Sequence, residues 1–446
     1  MYGAQNQLIS ASLSTSSSTL GINLRESSDH DQNTEPNPNS TGWSVSPIAT
    51  SPNTDIQNVD FVPDFPASLF LDIDWYTWSR ARPPVRPGTI PELPMISKKR
   101  IDMGLSLQNA GPDLAMLFLS TRLVTTPVTH GFDLNPYREA KKSLARLEEN
   151  GTISLILLQA MILIALYEYG HAIYPAAWMT VGSCARYSDI VGLAPGDFSA
   201  LRQDTTWTEA EERRRVWWSV FILDKIVALG SRRRCVVTEP QVENRLPVDD
   251  DSWDCGEVGK AFGHSTSTPY QTQQSGFARL CQVPIYISRV IGFARSGSSA
   301  PCIPEITSLV NDLNGFALAV DRENTDWRLE ASSSFLSSRA LARSALFIAL
   351  DRFTCPEKIS VEPGYVGEQG TKSQEELDFD GEQRLPLEVA SRQLHFMATN
   401  ILPHIPTAEG DETQLHASSL VSPFIMDGIY AGAATLHLLV SLSQGS

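Results

Sequence analysis

The 446-residue sequence predicts an all-α fold, in which a large multi-helix domain follows a disordered N-terminal segment. Apolar residues recur with helical spacing through most of the chain, and prolines and glycines separate the periodic segments. Runs of alternating β-branched residues joined by hairpin turns are not found. With 42 % hydrophobic residues, the chain is long enough to bury a large core.

Shifts in composition predict the domain boundaries. A segment rich in Ser, Thr, Asn, Gln and Pro opens the chain, and we expect it to be disordered because it cannot bury enough apolar surface to offset chain entropy. Closely spaced aromatic residues and prolines then predict an extended connector. The predicted regions are a disordered segment at 1–62, a connector at 63–100, a helical domain at 101–353, an acidic disordered insertion at 354–385 and further helices of the same domain at 386–446.

Local signals place three helices in the first half of the domain. Asn135-Pro136 starts a helix, since proline is favoured at the first helical position. The segment from Ile153 to Tyr169 is apolar nearly all round, so we expect a buried helix there. A third helix, from Pro175 to Asp189, has mostly small contact residues, with Met179 among them.

The helix predicted from Glu209 to Ala228 is the most informative segment. Thr208 is its predicted N-cap, and Glu211, three residues on, completes a capping box. The predicted buried stripe consists of Val216, Trp217, Val220, Phe221, Leu223 and Val227. Trp217 therefore points inward, whereas Trp218, about 100° further round the axis, lies nearer the edge of the stripe.

Asp224 lies on the same buried stripe. It needs a partner, because burying an unpaired carboxylate costs several kcal/mol. Arg213 is too distant along the helix at about 1.5 Å per residue. We expect the partner to come from Arg232 to Arg234 or from another helix, and we interpret Asp224 as part of a structural ion pair. A contact to a ligand is the alternative.

Two arginine triplets and an acidic run flank this helix. Arg213, Arg214 and Arg215 fan around the helix axis, so they cannot form one phosphate-binding patch. The second triplet, Arg232 to Arg234, is expected in a loop, where it could pair with Asp249-Asp250-Asp251. Adjacent carboxylates in a loop usually form a solvated turn or a helix cap, and a hard-cation site is the less favoured alternative.

Composition argues against several functional classes. The net charge of −16 and pI near 5.0 give the chain as a whole no electrostatic footprint for nucleic acid. Its six cysteines are widely scattered without a Cys-x-x-Cys pair, so no zinc site is predicted. Hydrolase elbows, zinc-protease motifs and phosphate-binding glycine loops are not recognisable, so we predict no catalytic residues, no cofactor and no enzyme activity.

Membrane contact is also not expected. The longest apolar stretch, from Leu155 to Tyr167, is interrupted by Gln159 and falls short of the roughly 20 residues that a membrane helix needs. Lys98-Lys99-Arg100 is a short candidate for a nuclear address, although a solvated helix start is the favoured interpretation.

A series of motifs between Asn135 and Trp253 carries a family resemblance. The motifs are Gln159-Ala160, Tyr167-Glu168-Tyr169-Gly170-His171, Ala177-Trp178-Met179, Ala185-Arg186, Gly192-Leu193, Arg213-Arg214-Arg215-Val216-Trp217-Trp218 with Asp224, and Leu246-Pro247 before Trp253. Residues 65–446 resemble, on these motifs, the middle homology region of fungal zinc-cluster transcription factors, a fungal-specific transcription factor domain.

The resemblance implies an all-α nuclear domain that regulates an attached DNA-binding module, in some members in response to small metabolites. It also marks a set of family-motif residues, which we interpret as structural. They are Arg213, Arg214, Arg215, Trp217, Trp218, Asp224, Leu246, Pro247 and Trp253.

The family's zinc-cluster module is not recognisable, since the first hundred residues contain no cysteine. A truncated gene product and a natural regulator without a DNA-binding module are both open. We hypothesise a nuclear transcriptional regulator of a fungal metabolic or secondary-metabolite gene cluster. Its expected partners are the transcription machinery or a DNA-binding protein, with DNA reached only indirectly or through the missing module, and a small-metabolite effector is also considered. The alternative is a small-molecule-binding helical protein without a direct transcriptional role.

Overall fold

The computed structural model describes ten stretches of the chain. They are residues 93–96, 111–125, 134–193, 206–229, 233–256, 263–295, 303–323, 333–354, 388–399 and 422–445. The predicted disordered segment, most of the predicted connector and all but the first residue of the predicted acidic insertion lie outside these residues. All ten stretches belong to the second of the two units into which the chain divides, Phe61–Ser446.

The described residues form eleven helices and an isolated antiparallel bridge between Arg245 and Ser265. The helices are α1 (Pro112–Thr125), α2 (Asn135–Glu149), α3 (Leu155–Gly170), α4 (Tyr174–Ile190), α5 (Trp207–Ala228), α6 (Asp250–Cys255), α7 (Gly276–Arg295), α8 (Ile303–Glu323), α9 (Ser333–Thr354), α10 (388–399) and α11 (Pro423–Gly445). The all-α prediction is confirmed.

Helix α3 lies at the centre of the first half of the domain. The hydroxyl of Ser154 caps it by accepting a hydrogen bond from the amide of Leu157 at 3.0 Å. Every side chain from Leu157 to Tyr169 is buried, because α1, α4, α5 and α11 all pack on this helix. The prediction of a buried helix is confirmed, and its cause is an apolar surface on all sides.

Helix α9 has the corresponding place in the second half, where α7, α8 and α11 pack on it. Two glycines of α11 permit a close approach there. A Cβ atom on Gly428 would lie 2.8 Å from the backbone oxygen of Ala340, and one on Gly432 would lie 3.1 Å from the sulfur of Met397. Larger residues at these positions would force the helices apart.

Two local predictions are wrong. The N-cap of α5 is Thr206, whose hydroxyl accepts from the amide of Glu209 at 3.3 Å. Thr206 and Thr208 each have a glutamate three residues on, Glu209 and Glu211, so sequence spacing alone did not separate the two caps. Met179 is 62 % exposed, because the contact face of α4 is carried by Ala177, Val181 and other smaller residues.

Candidate functional site: the buried ion network of helix α5

Helix α5 is buried on nearly all sides, whereas the sequence predicted a single stripe. Its side chains are buried at Glu211, at Glu212 and from Arg215 to Ala228. Helices α3, α4 and α7 pack against it. The segment from Arg245 to Asp250 also contacts it through hydrogen bonds to Trp218 and Arg215. Charged residues on such a helix must find partners inside the protein.

Arg215 is the centre of the network and is fully buried. Its Nε donates to Glu211 Oε1 at 3.2 Å, and its Nη1 donates to Asp250 Oδ1 at 2.6 Å. The same Nη1 donates to the carbonyl of Pro94 at 3.0 Å, and Nη2 donates to the carbonyl of Val248 at 2.7 Å. The guanidinium thus joins α5 to two segments that are distant in sequence, one at Pro94 and one at Val248 and Asp250.

Aromatic rings complete the surroundings of this guanidinium. Its carbon lies 4.0 Å from the ring centroid of Trp253 and 5.4 Å from that of Phe277. Burial opposes the charge, but the carboxylates of Asp250 and Glu211 outweigh it and raise the pKa of Arg215 above its usual value. Arg215 therefore stays charged in the core.

The two glutamates of α5 are buried acceptors. Glu211 pairs with Arg214 as well as Arg215, and its Oε1 accepts the amide of Val248 at 2.9 Å. Glu212 Oε1 accepts from Gln159 Nε2 at 3.1 Å. The sequence predicted that Glu211 completes a capping box. In the structure the two glutamates fix the loop before α6 and link α5 to α3 across the core.

The Leu-Pro motif and Trp253 belong to the same arrangement. Leu246 and Pro247 are buried, and the amide of Leu246 donates to the carbonyl of His264 at 2.8 Å. Trp253 is also buried, with its indole nitrogen 3.3 Å from the carbonyl of Thr208. The motif residues that surround Arg215 therefore come together from two separate parts of the sequence.

The acidic run Asp249-Asp250-Asp251 lies at the start of α6, and its members have different roles. Asp249 caps α6 by accepting from the amide of Ser252 at 3.1 Å, which is the helix-cap interpretation. Asp250 pairs with Arg215, which differs from the predicted pairing of the run with the second arginine triplet. The guanidinium carbon of Arg233, from that triplet, lies 5.0 Å from the ring centroid of Trp178.

Both tryptophans of the motif are buried, so the predicted difference between them is wrong. Trp217 is 2 % exposed and stacks on Phe221 with ring centroids 5.4 Å apart. Trp218 is 1 % exposed, and its indole nitrogen donates to the carbonyl of Arg245 at 3.1 Å. The chain around Arg245 covers the face of α5 that the sequence pattern left at the edge.

Asp224 has a different partner from the one predicted. Its carboxylate lies 3.2 Å from the ammonium of the adjacent Lys225 and accepts the backbone amides of Val236 and Val237 at 3.0 and 3.1 Å. Lys225 also pairs with Glu239 at 2.9 Å. Backbone amides can stabilise a buried carboxylate as an arginine would, and such partners have no side-chain signature in the sequence.

The arginines of the first triplet differ in most of their contacts, although Arg214 and Arg215 share Glu211. Arg213 Nη2 donates to the carbonyl of Val191 at the end of α4, at 2.5 Å. Arg214 pairs with Glu211, and Arg215 is the core group described above. The three side chains do not form a common patch.

The contacts of the network stabilise the fold, and the thiol beside it is not reactive. Burial raises the pKa of the nearby Cys281 thiol well above its ordinary value, so it stays protonated and is a poor nucleophile. Within the described residues, no group of three or more His, Cys, Asp or Glu side chains is placed to hold a metal ion. None of the described helices is long and apolar enough to cross a membrane.

Sequence reasoning missed Gln159 as a site residue. Gln159 stood out in the sequence as an interruption of an apolar run and as part of a family motif, but without a role. In the structure its amide is 2 % exposed and bonds both Glu212 and the carbonyl of Met95. A single amide inside an otherwise apolar helix was the available signal, since a buried amide requires partners. Its two partners lie too far away in sequence to be inferred.

Comparisons with known proteins identify the family of this chain. The family model described as "Fungal specific transcription factor domain" matches residues 107–314. Transcription factor BOA15 of Botryotinia fuckeliana is 39 % identical over 130 residues, which are 28 % of this chain and 72 % of that protein. The chain belongs to the fungal-specific transcription factor domain family.

Two further relatives are longer proteins. The azaphilone cluster-specific transcription factor azaR of Aspergillus niger is 32 % identical over 131 residues, covering 27 % of this chain and 28 % of azaR. The pigment biosynthesis transcriptional activator pigB of Monascus ruber is 29 % identical over 132 residues, covering 27 % of this chain and 24 % of pigB. The matched parts thus span about a quarter of these two relatives. No solved structure matches the chain.

Proposed function

We propose that this protein is a nuclear transcriptional regulator of a fungal secondary-metabolite gene cluster. The observation that carries the proposal is family membership, together with relatives whose names refer to azaphilone, pigment and citrinin production. The helical domain acts as a regulatory body, not as an enzyme. It works through the transcription machinery or through a DNA-binding protein or module.

The buried network around Arg215 supports a structural role for the family motif. Arg215, Glu211 and Trp253 are buried in the folded chain, and their contacts join segments of the chain itself. We infer that the motif maintains the shape of the regulatory body, while contacts to partners are made elsewhere on its surface.

Deletion of the gene in its native fungus tests the function. We expect transcripts of one biosynthetic cluster to fall at least about tenfold, with restoration by the wild-type gene. Restoration by an Arg186→Ala variant, which changes an exposed arginine of α4, is the matched control. A deletion strain whose cluster transcripts all match those of the parent would contradict the proposal.

Localisation and transcriptional output need a separate measurement. A fluorescent fusion of the full chain is expected in the nucleus, and a fusion to a heterologous DNA-binding domain is expected to change reporter output. A chain that stays outside the nucleus under cluster-inducing conditions and leaves the reporter unchanged would favour the alternative of a helical small-molecule-binding protein.

A further inference from the structure

Residues 93–96 form a short stretch that the body of the domain binds like a peptide. Leu93 is 7 % exposed and Met95 is 1 % exposed, so both side chains are inserted in the apolar core. The amide of Met95 donates to the carbonyl of Leu93 at 2.8 Å, which closes a tight turn between them. Pro94 and Ile96, at the alternate positions, are only partly buried.

Two buried side chains bind consecutive carbonyls of this stretch. Arg215 Nη1 donates to the carbonyl of Pro94 at 3.0 Å, and Gln159 Nε2 donates to the carbonyl of Met95 at 2.8 Å. The donors come from α5 and α3, which are 121 and 64 residues away in sequence. Main-chain hydrogen bonds combined with apolar insertion at alternate residues are the usual means of binding a linear peptide.

Both donors are held in place by carboxylates of α5. Gln159 also donates to Glu212 Oε1, and Arg215 is paired with Glu211. Their donor groups are therefore fixed before the stretch binds, which reduces the entropy lost on binding. Release of the stretch would leave these buried donors short of acceptors, so bound and released states differ by a definite set of contacts.

We propose that Gln159, Arg215 and the apolar cavity filled by Leu93 and Met95 form a peptide-binding site that the chain occupies with its own residues 93–96. Binding of this stretch couples the helical body to the part of the chain that precedes it. The regulatory meaning of the coupling rests on the proposed function, whereas the binding site itself does not.

A peptide added in trans tests the site. In the full-length Met95→Asp variant, the introduced carboxylate cannot remain in the apolar core, so the site is vacated. We expect this variant to bind a labelled peptide of residues 89–98 saturably, with a Kd below about 1 mM by fluorescence anisotropy. Wild-type protein should bind it at least about tenfold more weakly, because its own tethered stretch competes at a high effective concentration.

A peptide that carries the same Met95→Asp change is the matched control and should not bind. Equal binding of both peptides, or no binding of either to a folded variant, would overturn the proposal. Circular dichroism shows whether the variant is folded. If the variant is unfolded, Met95→Ala is used in its place, and hydrogen exchange is measured in the fragments that contain residue 95.

Hydrogen exchange separates local release from general destabilisation. Met95→Ala should accelerate exchange around residue 95 at least about tenfold while α3 keeps its protection. Met161→Ala, which truncates a buried methionine of α3 itself, is the control and should accelerate exchange in α3 instead. If Met95→Ala lowered protection equally in α3 and around residue 95, the stretch would be an inseparable part of the core.

The coupling is tested in the reporter fusion described above. Met95→Asp should change the output at least about threefold at equal protein level, while Met179→Ala, on the exposed face of α4, should not. If Met95→Asp vacates the site but the reporter output is unchanged, the coupling is overturned and the transcriptional proposal remains intact. A wild-type fusion that has no effect on the reporter would instead count against the transcriptional proposal.

Discussion

Arg215 and Asp427 are two polar centres of this domain that differ in their hydrogen-bond and charge partners. Arg215 on α5 has two carboxylates, two backbone carbonyls and an aromatic face. Asp427 on α11 is partly buried and accepts from the hydroxyl of Ser344 at 2.5 Å, with the hydroxyl of Tyr169 nearby. It has no cationic partner among the residues that the structure describes. Burial raises the pKa of Asp427, whereas opposite charges raise the pKa of Arg215 and keep it ionised.

The difference shows that burial alone does not decide the charge state of a core residue. An ion whose charge is matched by partners of opposite sign remains an ion, while one that meets only neutral hydroxyls tends to take up a proton. The first centre should therefore be sensitive to removal of a partner. The second should be relieved by removal of the charge.

Replacing Arg215 should give the largest loss. Arg215→Met keeps an apolar chain of similar length. It leaves Glu211 with Arg214, but it removes this cation from Asp250 and the donor from the carbonyls of Pro94 and Val248. We expect a loss of about 3–5 kcal/mol in the free energy of unfolding, measured by denaturant titration of the full chain. Arg186→Met, at an exposed position on α4, should change it by no more than about 0.5 kcal/mol. A similar small change in both variants would contradict the central role of Arg215.

The tryptophans test whether apolar packing around the same helix matters as much as its ion network. Because both are buried, Trp217→Ala and Trp218→Ala should each cost about 3–5 kcal/mol and differ by less than about 1 kcal/mol. The sequence pattern placed Trp218 nearer the edge of the stripe, where its truncation would cost less. Calorimetry that found Trp218→Ala nearly neutral would restore that earlier expectation.

Arg343 on α9 sharpens the comparison between buried arginines. It pairs with Asp321 at 2.8 Å and lies over Phe396, and burial lowers its pKa. Asp321 is also paired with Arg339 at 2.6 Å, so removal of Arg343 does not leave it alone. Arg343→Met should therefore cost about 1–3 kcal/mol, less than Arg215→Met under the same conditions. The reverse order of the two losses would refute the argument from partners.

Asp427 should give the smallest effect and the opposite sign. Its folded-state pKa is raised above the unfolded value, so its contribution to stability falls as pH rises through the interval between them. Asp427→Asn keeps an oxygen acceptor without a charge and should stabilise the protein by about 1 kcal/mol at pH 7. The gain should shrink as pH falls toward about 4, the ordinary aspartate pKa. Thermal denaturation of both proteins from pH 4 to 7 measures it, and a gain that grew on acidification would be inconsistent with this sign.

The helices were largely determined by the sequence itself. Apolar spacing placed α3 and α4 within two residues of their observed ends, and Asn135-Pro136 marked the start of α2. These features depend on residues no more than about four positions apart, where spacing and capping act directly. The choice between Thr206 and Thr208 as N-cap of α5 was the exception, since both carry the same local signal.

Only the tertiary structure decided the partners inside the core. Arg215 bonds Asp250 and Pro94, at separations of 35 and 121 residues, and Asp224 bonds backbone amides twelve and thirteen residues away. Trp218 is buried because a distant loop covers it. Helical periodicity states which side of one helix is apolar. It does not state what covers the other sides, because that depends on how separate segments meet when the chain folds.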